Sequence, residues 1–294
     1  MPFDFSPNEL HRLNRLAFRM RSNPTETTNG ERRLRRSGDG YDFLDYRPYS
    51  RGDDVRKIDW NLYARFRQLF VRHHESPRQT SITFVLDSSR SMGFGASRDK
   101  LTQAQLIASG LSFVALRGGD RIHLASFSDV PRAIRGPFSG VRRHGIFVDE
   151  LQKLSASGKS ALLDATRRVA ARRLHRGLVV LISDFLGTGE VESVLRIIAS
   201  AGGQALGIQI LSPDDTCQAL APGVVCLQDS ETGEMVRVRI DESVLADFRN
   251  RFLARQELLR QQFSRRGFQF LQTTPQDDYL AVVSRAISAG TVHR

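Results

Sequence analysis

The sequence predicts an α/β protein with a doubly wound, mainly parallel sheet, an N-terminal arm and an inserted β-hairpin. Three observations support this fold class. Short apolar segments alternate with amphipathic helical segments from about residue 80 onwards, which is typical of strand–helix–strand units. The segment 177–183 is apolar almost throughout, as expected for a strand covered on both faces. The length of 294 residues is sufficient for one large core or two domains.

The N-terminal segment predicts a helix followed by a polar stretch. Residues 6–9, Ser-Pro-Asn-Glu, form a capping box, and apolar residues then recur at helical spacing as far as Met20. Residues 25–41 are polar and rich in glycine and arginine, which favours a loop or an arm. From Tyr41 onwards we expect irregular structure, interrupted by a short helix at 60–65 and a strand at 69–72.

The segment from residue 80 predicts the core domain, which we place at 80–290. We expect its strands at 81–86, 121–127, 177–183, 204–211 and 268–271. We expect its helices at 100–117, 145–155, 161–174, 190–201, 242–265 and 277–288. Two short apolar runs near 224–240 flank a turn and predict the hairpin. Residues 1–79 then form the N-terminal helix and a charged arm, which we expect to dock on the core.

Net charge, cysteine content and the length of the apolar runs indicate which partners and which cellular compartment to expect. The formal net charge is +11 and comes almost entirely from arginine, which favours an acidic partner. Aromatic and basic residues are not interleaved as in a single-strand binding platform, so nucleic-acid binding is a weaker alternative. Two cysteines do not make a disulfide framework, no apolar run approaches the length of a membrane span, and the N-terminus lacks a signal-peptide pattern. We therefore expect a soluble, cytoplasmic protein without a membrane span.

Oxygen-bearing side chains follow three of the predicted core elements. Asp87, Ser89 and Ser91 form an Asp-x-Ser-x-Ser turn directly after the first core strand, Ser160 precedes a helix, and Asp184 follows the strand at 177–183. In open α/β sheets ligands bind at the carboxyl ends of strands. Carboxylate and hydroxyl oxygens suit Mg²⁺, or a related divalent cation such as Mn²⁺. The sequence therefore predicts a metal site, although the same groups could act only in turns and helix caps.

These residues resemble the metal-ion-dependent adhesion site of von Willebrand factor A domains. The resemblance covers about residues 80–211 and implies a sheet of von Willebrand A type. It maps the threonine of that family onto Ser160 and its late aspartate onto Asp184. Serine keeps the hydroxyl of threonine, whereas Phe185 stands where that family usually has glycine.

The segment 46–72 resembles the signature of the domain of unknown function 58 family, which precedes a von Willebrand A-like core. A paired-charge network that docks the arm on the core would explain this pattern, because charges near apolar surface must be paired. A partner-binding surface is the alternative. The residues of this arm motif are Gly52, Asp53, Asp54, Arg56, Asp59, Trp60 and Arg65.

The family resemblance implies an interaction module that does not act as an enzyme. Asp87, Ser89, Ser91 and Ser160 would bind Mg²⁺ directly or nearly so, and Asp184 would act through water or by holding a ligand in place. A MoxR-type AAA+ ATPase, contributing an acidic residue to the metal, is the implied partner in assembling or activating another complex. A metal-dependent phosphatase or hydrolase using the same site is an alternative, and so is a basic nucleic-acid-binding module.

Overall fold

The structure is a computed structural model that describes most of the chain. The described residues are 5–16, 37–50, 53, 55, 58–75, 80–94, 99–129, 132–187, 189–216, 222–229 and 233–290. Only the backbone is described at 37–45, 47, 72–75 and 290.

Helices and strands alternate through most of the described chain. In chain order they are α1 (Pro7–Asn14), β1 (Ser37–Pro48), α2 (Trp60–Phe66), β2 (Phe70–Glu75), β3 (Ser81–Asp87), α3 (Lys100–Arg117), β4 (Arg121–Phe127), β5 (Arg135–Ser139), α4 (His144–Gln152), α5 (Leu162–Ala171), β6 (Leu178–Ser183), α6 (Val191–Ser200), β7 (Gln204–Ile210), β8 (Gly223–Gln228), β9 (Met235–Ile240), α7 (Glu242–Ser264), β10 (Gln269–Thr273) and α8 (Tyr279–Gly290).

The central sheet is mixed but mainly parallel, which confirms the predicted fold class. Its strand order is β10-β7-β6-β3-β4-β5, and only β5 at one edge runs antiparallel to its neighbour. The chain moves outward from β3 through β4 to β5 and then returns to β6 on the other side of β3. The order therefore reverses between β3 and β6, and this switch point opens a crevice at the carboxyl ends of these two strands.

Helices cover both faces of this sheet and divide the core into two apolar layers. On one face α3, α4 and α8 pack against alternate residues of the central strands, such as Phe84 of β3. On the other face α5, α6 and α7 pack against the intervening residues, such as Val85 of β3. Because successive side chains of a strand point to opposite faces, the fully buried central strands are apolar on both faces. This explains the continuous apolar run that predicted β6.

The N-terminal helix packs on this core. Leu13 of α1 is fully buried in the layer formed by α3 and α8. Polar contacts at the surface also attach α1 to the region of α8: Tyr279 donates a hydrogen bond of 2.6 Å to Glu9, and Arg12 pairs with Asp278 at 3.0 Å. The predicted capping box is present at Ser6 and Glu9. Helix α1 thus belongs to the same compact unit as the residues from Thr80 onwards.

Strands β1 and β2 and helix α2 form a second compact unit within residues 23–79. The two strands pair in antiparallel fashion. The prediction of a loop and irregular structure was wrong over Ser37–Pro48, where the structure has β1. Glycine and aspartate are depleted in strands, so composition disfavoured a strand here, and pairing with the distant β2 overrides that preference. Docking of this unit on the core stays a prediction.

One of the remaining strand features was predicted and one was not. The predicted hairpin is present as the antiparallel pair β8–β9. Strand β5 was not predicted, because its sequence Arg-Gly-Pro-Phe-Ser reads as a turn. Proline is tolerated in a strand at the edge of a sheet, which is where β5 lies.

Within the described part of the chain, no helix is both long enough and apolar enough to cross a bilayer.

Candidate functional site

The candidate site lies at the switch point of the sheet. Asp87 is the last residue of β3 and Ser183 the last residue of β6, and these strands are direct neighbours. The Asp-x-Ser-x-Ser turn continues from Asp87 into a short 3-10 helix at Arg90–Gly93. Since the carboxyl ends of parallel strands meet at one edge, the loops that follow them converge here, as the sequence predicted.

Asp87 is a fully buried carboxylate held by two hydrogen bonds. The Ser89 amide donates to its Oδ1 at 2.9 Å, and the Ser183 hydroxyl donates to its Oδ2 at 2.6 Å. Burial, and after it the charge of Asp184, raises the pKa of Asp87 from 3.8 to about 7, although hydrogen bonds from the Ser183 side chain and from the side chain and amide of Ser89 oppose this shift. Among the described residues no arginine, lysine or histidine pairs with Asp87. A bound cation would therefore remove the main cost of ionising it.

Hydroxyl groups lie next to this carboxylate. The Oγ atoms of Ser89 and Ser91 are 3.1 Å apart, and Ser89 is fully buried. Each hydroxyl oxygen has lone pairs that a metal ion can use. The Asp-x-Ser-x-Ser turn thus presents two neutral oxygens beside one carboxylate.

A second loop, residues 155–160, runs along this turn and carries Ser160. The amide of Ser157 donates to the carbonyl of Ser88, and the amide of Arg90 donates to the carbonyl of Gly158, both at 2.8 Å. Gly158 has a φ of +71°, and a Cβ atom there would meet the carboxylate of Asp129. The close approach that fixes this loop therefore needs glycine. Ser160 follows two residues later with a buried hydroxyl oxygen.

Asp184 lies beside Asp87 but is committed to other contacts. Its Oδ2 accepts a hydrogen bond of 2.8 Å from the ammonium of Lys100, and its Oδ1 accepts one of 3.1 Å from the amide of Leu186. The side-chain amide of Gln209 donates to its backbone carbonyl at 2.8 Å. The structure therefore places Asp184 as a fixed counter-ion of Lys100.

Sequence reasoning missed three members of this cluster: Ser183, Lys100 and Asp215. Lys100 also contacts both carboxylate oxygens of Asp215 at 3.0 Å. Burial alone would lower the pKa of Lys100, but the charges of Asp184 and Asp215 outweigh it and raise the pKa. Asp215 follows β7, so applying the strand-end argument to a further strand would have found it. Lys100 begins α3 and gave no comparable signal.

The donor set fits Mg²⁺ better than a metal that needs a full set of protein ligands. Within the described residues no three His, Cys, Asp or Glu side chains are grouped as metal ligands. Mg²⁺ keeps several of its waters and uses only one or two carboxylates, whereas structural zinc sites need four nitrogen or sulfur ligands. Asp87 with the hydroxyls of Ser89, Ser91 and Ser160 supplies oxygens only. This donor set therefore fits a hard cation that keeps part of its hydration shell.

The described residues of the arm motif lie in the second unit. Asp59 caps α2 by accepting from the amides of Asn61 and Leu62, and Tyr46 donates to it at 3.1 Å. The amide of Ser50 donates to Asp53 at 2.8 Å in a local turn. Trp60 is 62% exposed and Arg65 is exposed. Gly52, Asp54 and Arg56 lie outside the described residues. The contacts seen for Asp53 and Asp59 include capping and turn contacts in addition to any charge pairing.

Solved structures and curated proteins show similarity over most of the chain. An aerotolerance-related membrane protein from Bacteroides fragilis matches 72% of this chain and 98% of its own at 13% identity, with a TM-score of 0.45. The VWA domain of SpRpn10 matches 73% of this chain and 100% of its own at 13% identity, with a TM-score of 0.42. An uncharacterized Mycobacterium tuberculosis protein is 30% identical over 259 residues, which are 86% of this chain and 80% of that protein.

The family model described as "Protein of unknown function DUF58" matches residues 45–261. This range contains the whole arm motif, from Gly52 to Arg65, and the strand-end cluster around Asp87. It also covers the hairpin β8–β9 and most of α7. The match spans more than half of the chain and agrees with the resemblance seen in the sequence. The chain therefore belongs to the DUF58 family.

Proposed function

We propose that this protein is a Mg²⁺-dependent interaction module that binds a partner protein at the strand-end site and does not act as an enzyme. One observation carries this proposal. Asp87 is buried at the switch point without a cationic partner among the described residues, and two serine hydroxyls lie beside it. An ionised carboxylate in such a position is costly unless a cation compensates it.

The residues that would hold Mg²⁺ are Asp87, Ser89, Ser91 and Ser160, with Asp184 acting through water or by positioning the others. Mn²⁺ has similar oxygen preferences and would occupy the same ligands. When bound, the ion supplies an open coordination position for a carboxylate. The chain's own contribution is rigidity: Ser183 holds Asp87, and the loop of Ser160 is bonded to the Asp-x-Ser-x-Ser turn.

The proposed partner is a MoxR-type AAA+ ATPase with an acidic side chain that reaches the metal. The family resemblance supports this choice, and assembly or activation of another complex is the role that it implies. The formal charge of +11 is consistent with an acidic partner surface. Such charge would increase the rate of association more than the final affinity.

The contacts of Asp87 support binding over hydrolysis. A hydrolase using this carboxylate needs a general acid or base within hydrogen-bond reach of the reacting atoms. Asp87 contacts a serine amide and a serine hydroxyl. Two described histidines have their contacts elsewhere, since His123 lies 3.5 Å from Ser81 and His144 lies 3.0 Å from the carbonyl of Ser109.

A pull-down of a purified MoxR-type ATPase by the full-length protein tests the proposal. We expect retention in Mg²⁺ and loss in excess EDTA, because the metal would bridge the two proteins. Asp87→Asn should abolish retention in Mg²⁺. Asp120→Asn is the matched control. Asp120 directly precedes β4, so it lies at the amino ends of the strands, away from the site, and it accepts a hydrogen bond from the amide of Thr80.

Each contrary result contradicts a different part of the proposal. Retention in EDTA would contradict the metal mechanism even if the partnership were real. No retention in Mg²⁺ would contradict the choice of partner. Retention that falls steeply with salt and requires added nucleic acid would favour the nucleic-acid-binding alternative, because counterion release makes phosphate contacts strongly salt-dependent.

A further inference from the structure

Lys100 is a buried ammonium group inside the strand-end cluster. Its side chain is only 1% exposed, and its Nζ atom lies 2.8 Å from Asp184 and 3.0 Å from both carboxylate oxygens of Asp215. A buried lysine is costly unless it is paired, and here two carboxylates from two different strand ends share it. The position is fixed, because Lys100 is the first residue of α3 and Asp99 caps that helix.

Without its two carboxylate partners, the Lys100 ammonium would be in an unfavourable position. A positive side chain at a helix N-terminus opposes the helix dipole. The pairing with Asp184 and Asp215 compensates both this effect and the burial. Lys100 therefore adds one buried positive charge next to the carboxylates and hydroxyls of the site.

The charges of the cluster show what Lys100 changes. Asp87, Asp184 and Asp215 contribute three negative charges when ionised, and Lys100 contributes one positive charge. One divalent cation then makes the cluster neutral. Without Lys100 the same loaded cluster would keep one negative charge, and it would repel an incoming carboxylate while attracting the cation more strongly.

We propose that Lys100, together with Asp215, sets the charge preference of the strand-end site: it weakens binding of the divalent cation and strengthens binding of an acidic partner group to the loaded site. This inference rests on the proposed function of the site. Lys100 acts as a positioning and charge-setting residue, since it contacts Asp184 and Asp215 and makes no contact with Asp87. Asp215 acts in the opposite direction, because it partly cancels the ammonium.

Calorimetric titration of the full-length protein tests this proposal with two probes, Mg²⁺ alone and a short polyglutamate peptide in saturating Mg²⁺. Lys100→Met should bind Mg²⁺ about tenfold more tightly and the peptide about tenfold more weakly, because a unit charge is removed from a partly desolvated site. Asp215→Asn should shift both affinities in the reverse directions. The double variant Lys100→Met/Asp215→Asn keeps the charge of the cluster and should return both affinities towards those of the parent.

Opposite shifts of the two affinities separate a charge effect from a structural one. If Lys100 only held the loops together, Lys100→Met would weaken both probes and the double variant would not restore them, which would overturn the proposal. If Lys100→Met does not fold, the two affinities of Asp215→Asn test the proposal instead, because this variant keeps the Lys100–Asp184 pair. Same-direction shifts in Asp215→Asn would overturn this inference alone. A parent protein that binds no Mg²⁺ would overturn both this inference and the proposed function.

Discussion

Asp87→Asn is expected to make the metal-free protein more stable above pH 7, by about 2–4 kcal/mol, because the folded parent must ionise a buried carboxylate there. Asparagine has the same shape: its oxygen can accept the bond from the Ser89 amide, and its NH2 group can donate to the Ser183 hydroxyl oxygen, which reverses that bond. It carries no charge in an environment that raises the pKa of Asp87 to about 7. A substitution that destroys a binding site would thus stabilise the empty protein.

The sign of the pH dependence follows from the same shift. The pKa of Asp87 is about 7 when folded and near its ordinary value of 3.8 when unfolded, so the folded chain holds an extra proton between these values. The stability of the metal-free parent should therefore fall as the pH rises from about 4 to about 7 and level off above that range. The Asp87→Asn variant lacks this component.

Urea unfolding in EDTA across this pH range measures both effects, and the difference between parent and variant isolates Asp87. Asp164→Asn is the control, because its side chain is 73% exposed and forms only a surface pair with Arg167. It should change the stability by no more than about 0.5 kcal/mol at any pH. If the stabilities of the parent and of Asp87→Asn changed with pH in the same way, the pKa of Asp87 would not be raised in the folded protein.

Phe185→Ala is expected to destabilise the fold by about 3–5 kcal/mol, because it empties a fully buried aromatic site. The ring packs edge-on against Phe263 and at a tilt against Phe270, with a centroid distance of 6.2 Å in both cases. Phe185 also has a φ of +53°, in the left-handed region that favours glycine. This position thus keeps the backbone of a glycine while its side chain contributes to the core.

Phe185→Gly is the matched comparison, and chemical denaturation of both variants measures the effect. Glycine loses the same ring but also removes the strain of the left-handed backbone, so Phe185→Gly should be more stable than Phe185→Ala by about 1 kcal/mol. Glycine is normally the less stable choice in regular structure. If Phe185→Gly were the less stable variant, the strain assigned to this backbone would be wrong.

The sequence was informative wherever a local pattern decides the structure. The apolar runs of β3, β4, β6 and β7 and the helices between them were predicted within a few residues, because burial on both faces leaves a direct signature in composition. The convergence of Asp87 and Asp184 followed from the strand-end argument, which needs only the order of the elements.

The sequence was uninformative where long-range pairing decides. Strands β1 and β5 have compositions that favour turns, and each exists because a distant strand pairs with it. Lys100 lies 84 residues before Asp184 and 115 residues before Asp215, so no local spacing connects them. The arm motif predicted charge pairing and did not predict that Asp59 also caps α2.

Calorimetric titration of Mg²⁺ into the metal-free, full-length protein at about pH 8 tests the central claim most directly. We expect one ion bound per chain in the parent and no binding in Asp87→Asn, because Asp87 is the one charged ligand proposed to contact the metal directly. Affinity in the parent should fall as the pH drops below about 7, since the ion must then displace the proton of Asp87. Absence of binding in the parent, or equal binding in Asp87→Asn, would contradict the assignment of this strand-end site as a magnesium site.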